Sequence, residues 1–175
     1  MNKVARILIH DDPFPDPTQV IHQRGAWPAN WLEHPAGRGA EPVVVAYRRI
    51  LNLDRAAKFR LHVSADERYE LFVDGERVGR GPERGDRHCW FYESYDVNLP
   101  AGRHVIVARV TWIGADAISA HAQVSVRPAF LGAFEGGPDN LPWDCKKLGG
   151  YAFISPEMTW GTSAKTIITL SLIHI

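Results

Sequence analysis

The carboxylates Asp66, Glu67, Glu70, Glu83, Asp86, Glu93 and Asp96 crowd into one stretch of the chain. Carboxylates are the groups that split glycosidic bonds, but that chemistry needs two of them held across the sugar at a fixed separation. The same residue types furnish solvated strand faces and turns, where Asp and Glu are found by default. No spacing sets one pair apart, so the sequence assigns no catalytic residue.

The run from Gly79 to Asp86 has more distinctive mechanics. Gly79, Gly81, Gly85 and Pro82 suit a tight, exposed excursion of the backbone. Arg80, Arg84 and Arg87 give it a local positive fork that can pair bidentately with carboxylates. Trp90, Tyr92 and Trp112 follow, and flat aromatic rings can stack on the apolar faces of sugars or anchor a contact between domains. Arg80, Arg84, Asp86, Trp90 and Tyr92 are therefore the candidate binding or docking residues. The plain alternative is a solvated loop beside aromatics that belong to the core. Arg84-Gly85-Asp86 is also an adhesion-type tripeptide, but so short a match arises readily by chance.

Other chemistries find no pattern. His10, His62, His88, His104 and His121 are scattered, without the spacing of a zinc site. Cys89 and Cys145 lie far apart with no C-x-x-C, and two free thiols in a reducing cytoplasm are expected, with a disulfide between them as the alternative. No glycine-rich phosphate loop opens a helix. Neither a metal nor a cofactor is expected. Lys plus Arg and Asp plus Glu balance at 20 each, so no basic field draws the chain to nucleic acid or to a membrane surface. The apolar run Val4 to Ile9 is broken by Arg6 and is too short for a signal-peptide core or a membrane span.

The elements that must position these residues are strands. Hydrophobic residues make up 45% of the 175, enough for a real core. Residues 1–42 are rich in Pro, Gly and charge and read as an extended arm, with Trp27 and Trp31 to pin it onto a core surface. From Val43 the pattern turns to period two. Val43, Val45, Tyr47 and Leu51 share a face, with Arg49 breaking the run, and Phe59, Leu61, Val63 and Ala65 alternate with Arg60, His62 and Ser64 as in a half-buried strand. Tyr69, Leu71 and Val73 lead into Asp74-Gly75, the strongest short signal for a hairpin with a type I′ turn. Cys89 to Val97 forms an aromatic strand, and His104 to Ile113 is apolar on both faces, as in a central strand covered on both sides. Ala120 to Arg127 alternates, and Phe130 to Phe134 adds a further strand. Many short strands with regular turn signals and no amphipathic helix predict an all-β protein, an antiparallel β-sandwich or jelly roll.

The stretch AKFRLHVSADERYELFVDGERVGRGPERGDRHCWFYESYDV, followed by LPAGRHVIVARVTWIG, resembles the N-terminal β-sandwich domain of bacterial α-L-rhamnosidases. The resemblance rests on motifs in order: Ser64-Ala65-Asp66, Arg68-Tyr69, Asp74-Gly75, Gly79 to Pro82, Arg84-Gly85-Asp86, Tyr95-Asp96 and Ala101-Gly102. Upstream, Ala29-Asn30-Trp31-Leu32 with His34-Pro35 looks like the opening of the same proteins. It covers about 29–135 and implies a non-catalytic accessory module, carbohydrate-binding-like or domain-docking. The partner it implies is a catalytic helical barrel further along the same polypeptide, with carbohydrate as a second candidate. A free-standing lectin-like protein with a jelly roll of the galactose-binding-domain type is the alternative. The expected organisation is an arm over 1–42, the sandwich over 43–135 and a linker or next domain over 136–169. The last six residues, Leu170 to Ile175, match a translation of the end sequence of a transposon used to prepare sequencing libraries and are expected to be non-native, with an ordinary apolar C-terminal strand as the alternative.

Overall fold

Asp74 and Gly75 both adopt positive φ, 51° and 83°, as a type I′ turn requires. They join β4 (Arg68–Val73) to β5 (Glu76–Gly81) in the hairpin that the sequence predicts. The computed structural model describes residues 3–15, 27–37, 41–83, 85, 90–112, 127–139, 143–152 and 171–172.

Around this hairpin stand two antiparallel sheets. The first has the order β1-β6-β3-β8, made of β1 (Val4–Ile7), β6 (Glu93–Leu99), β3 (Ala57–Ala65) and β8 (Phe130–Glu135). The second has the order β5-β4-β7-β2-β9, where β7 is Gly102–Trp112, β2 is Val43–Leu53 and β9 is Asp144–Lys147. A two-residue ladder joins β10 (Tyr151–Ala152) to β11 (Ser171–Leu172). Among the described residues the only helical turn is a 3₁₀ turn at Pro35–Gly37. The protein is an all-β sandwich, as its period-two pattern predicts.

The alternation of each strand decides which side chains meet between the sheets. Leu61, Val63, Ala65, Tyr95 and Leu99 of the first sheet are fully buried, as are Tyr47, Leu71, Ile106 and Ala108 of the second. Burying a large aliphatic or aromatic side chain is worth roughly 1.5–3 kcal/mol. At one edge the filling is aromatic. Tyr47 stacks on Phe130 at 4.9 Å, and Trp143 lies between Phe130 and Phe134 at 5.0 and 6.0 Å.

Several elements depart from the sequence pattern. β7 is the middle strand of its sheet, as its apolar faces imply, but its outward side chains Val105, Val107 and Arg109 are only half-buried. β2 runs unbroken through Arg49, whose guanidinium points to the Asp139 carbonyl at 3.5 Å. The arm contributes β1, which pairs with β6 from Val4↔Val97 to Ile7↔Ser94. The aromatic run enters its strand only at Glu93, so Trp90, Phe91 and Tyr92 precede β6. The strand expected over Ala120 to Arg127 lies outside the described residues except for Arg127, and so does the Leu170 to Ile175 segment except for Ser171 and Leu172 in β11.

Candidate functional site

The GRGP motif is a strand end rather than a loop. Gly79 and Gly81 lie in β5 opposite the buried Leu71 and Tyr69, so both face inward. A Cβ on Gly79 would lie 2.2 Å from the Tyr95 hydroxyl oxygen, and one on Gly81 would lie 2.1 Å from Oε2 of Glu93. These glycines therefore admit two internal side chains, and the close approach they permit is internal.

Glu93 is 3% exposed, against the expectation that the carboxylates line solvated surfaces. Its Oε2 accepts from the Tyr69 hydroxyl at 2.5 Å, and its Oε1 accepts from the Glu83 backbone N–H at 2.9 Å. Arg6, facing inward from β1, brings its guanidinium to 3.5 Å from Oε1 and 3.7 Å from the exposed Glu83. Burial pushes the Glu93 carboxyl above its ordinary value, outweighing the hydrogen bonds from Tyr69 and the Glu83 N–H and the charge of Arg6. A raised carboxyl is what a general acid needs. Here both oxygens are occupied, and the β5 backbone at Gly81 closes the space beside them. The geometry ties the segment after β5 to β6 rather than offering a proton to a substrate. Asp66 is buried too, at 2%, with Oδ2 accepting from the Arg127 N–H at 2.7 Å. It holds the entry to β8.

Of the five candidate residues, two pack against the arm. Trp90 and Tyr92 are half-buried beside the first sheet, each against a tryptophan of the arm: Trp31–Trp90 at 5.3 Å and Trp27–Tyr92 at 4.8 Å. Arg80 belongs elsewhere. It is exposed on β5 opposite Glu70, on the outer face of the second sheet, where Arg77 and Arg109 already bond Glu70. Arg84 and Asp86 lie outside the described residues.

Sequence reasoning misses Phe91, which stands 50% exposed between the two candidates with its carbonyl fixed by the Ser64 hydroxyl at 2.6 Å. Trp31 is 38% exposed. Leu8, at 89%, follows Ile7, the partner of Ser94, and so emerges near the start of β6. Exposed Trp31 packs on half-buried Trp90, and exposed Phe91 follows it, so the segment leading into β6 carries an apolar surface. Such a surface can stack on a sugar ring or seat against another domain. Among the described residues, no three His, Cys, Asp or Glu side chains gather as a metal site would need. Cys145 is free and exposed on β9, and Cys89 lies outside the described residues.

No protein-family profile matches the chain, and no curated protein matches it. Among solved structures, it is similar to the crystal structure of a GH78 family rhamnosidase of Bacillus sp. GL1. The two share 28% sequence identity over 71% of this chain, with a TM-score of 0.58. The matched part amounts to 14% of the rhamnosidase chain, so this chain resembles one portion of a much longer protein.

Proposed function

We propose that this chain is the N-terminal-type β-sandwich module of an α-L-rhamnosidase-like glycoside hydrolase, and that it serves the enzyme without a catalytic centre of its own. The similarity to a GH78 rhamnosidase over 71% of the chain carries this reading. The chemistry of the site agrees with it. Of the carboxylates buried among the described residues, Glu93 has both oxygens engaged by the protein's own donors, and Asp66 accepts from the Arg127 N–H at Oδ2. Retaining and inverting hydrolysis alike need two carboxyls free to face a sugar, roughly 5–10 Å apart.

The surface of Trp31, Trp90 and Phe91 is the contact we assign to the module, and the catalytic barrel of the same enzyme is its partner. Aromatic side chains concentrate binding energy at the centres of such contacts. The test is Trp90→Ala in the complete hydrolase. Lower activity or a lower melting temperature, with the isolated module still folded, supports docking, and unchanged kinetics and melting refute it. A second reading, sugar recognition, draws on the exposure of Trp31 and Phe91. Saturable binding of rhamnose to the isolated module, lost in Trp90→Ala, would establish that reading instead.

A further inference from the structure

Two stretches of the arm reach the outer face of the first sheet at one residue. Phe14 and Trp27 pack edge to face with each other at 5.1 Å, and with the His62 imidazole at 5.4 and 5.8 Å. Tyr92 adds a further side at 5.8 Å. His62 is 0% exposed, although its place on β3 turns it away from the core between the sheets. Both of its ring nitrogens are engaged. Nε2 lies 3.2 Å from Oε2 of Glu135 on β8, and Nδ1 lies 2.8 Å from Oγ of Ser94 on β6. Because a carboxylate only accepts, the neutral ring carries its proton on Nε2 and accepts from the Ser94 hydroxyl at Nδ1.

We propose that the segments bearing Phe14 and Trp27 form a strap over the first sheet, shut on a neutral His62 and released when His62 takes up a proton. The proton enters at Nδ1, and the Ser94 hydroxyl must then turn to accept. The resulting cation sits among three aromatic rings with no exposure to water. Burial holds the ring below its ordinary value, and this outweighs the pull of Glu135 and of Asp12 on the strap. Arg60 adds to the opposition, since its Nη1 bonds the same Glu135 oxygen at 3.2 Å while its Nε bonds Asp96 at 2.9 Å. Lifting the strap hydrates the ring and restores its ordinary proton affinity. Opening therefore becomes easier by up to about tenfold per pH unit as the pH falls below about 6.5. Release would also free residues 90–92, because Trp27 packs on Tyr92 and Trp31 on Trp90. The inference stands whether or not that surface docks a catalytic domain.

Amide hydrogen exchange of the whole chain, converted to protection factors, reads the strap directly. From about pH 7.5 to about pH 5, protection at 10–15 and 27–32 is expected to fall by up to about tenfold per unit, while β7 stays protected. His62→Gln should flatten that slope. Phe14→Ala should open the strap at neutral pH, so that His62 titrates by NMR near its ordinary value of about 6.5, higher than in the parent chain. Flat protection in the parent chain, a slope that survives His62→Gln, or a His62 titration unmoved by Phe14→Ala would each overturn the strap.

Discussion

Replacing Gly81 by alanine adds one methyl group at a place where the structure leaves no room for it. The new Cβ would lie 2.1 Å from Oε2, 2.5 Å from Cδ and 2.8 Å from Oε1 of Glu93. Glu93 cannot swing aside cheaply, because it is 3% exposed and held by the Tyr69 hydroxyl and the Glu83 N–H. Either the carboxylate surrenders a hydrogen bond or β5 lifts from β4. Overpacking costs about 1–3 kcal/mol and a lost buried hydrogen bond about 1 kcal/mol more, so the expected loss is about 2–4 kcal/mol. For a chain of this size that lowers the melting temperature by roughly 4–16 °C. Thermal and urea unfolding followed by circular dichroism measure it. Gly149→Ala, where an added Cβ meets nothing within 4 Å, is the control. Glu93→Ala makes the space, so Gly81→Ala should cost less in that background than alone. A Gly81→Ala protein within about 0.5 kcal/mol of the parent, the ordinary scatter of surface substitutions, would refute the internal role given to this glycine.

Trp143→Ala removes the ring between Phe130 and Phe134 and should destabilise the fold by about 3–5 kcal/mol, read as a lower urea midpoint. Acid should weaken the β4–β5 turn. Burial resists ionisation of Asp74, but hydrogen bonds from Lys3, His104 and the Val105 N–H overcome it and hold the carboxyl below its ordinary value. A depressed folded-state value means that the unfolded chain binds the proton more tightly. The stabilisation is thus full above the unfolded value of about 3.9 and fades as the pH falls through and below it. Urea midpoints of parent and Asp74→Asn should therefore converge as the pH drops from about 6 to about 3, and a constant gap would contradict the assignment.

The parts of the fold that local rules govern were legible in the sequence. Asp74-Gly75 announces its turn because few residue pairs accept two positive φ values, and the alternation of β3 and β7 shows which side chains enter the core. What the sequence hides depends on distant segments. His62 and Ser64 read as solvent-facing, yet both are buried, because Phe14, Trp27 and Tyr92 cover His62 and the Ser64 hydroxyl bonds the Phe91 carbonyl. β1 is too short to announce itself, and Arg6, which disrupts its apolar run, faces inward to reach Glu93. Gly79 and Gly81 suggest a loop by composition, and only the register with β4 shows that Tyr95 and Glu93 occupy the space beside them. Trp90 and Tyr92 were visible as candidates. Their partners Trp31 and Trp27 were visible only as anchors without a target.

Turnover of an aryl α-L-rhamnoside by the purified chain would show whether the module has a catalytic centre of its own. Glu93 and Asp66 are bonded within the fold, and an accessory module has no catalytic pair of its own, so hydrolysis is expected not to exceed the buffer background. Turnover above that background, abolished by Glu93→Gln or another single Asp or Glu substitution that leaves the sandwich folded, would contradict the account.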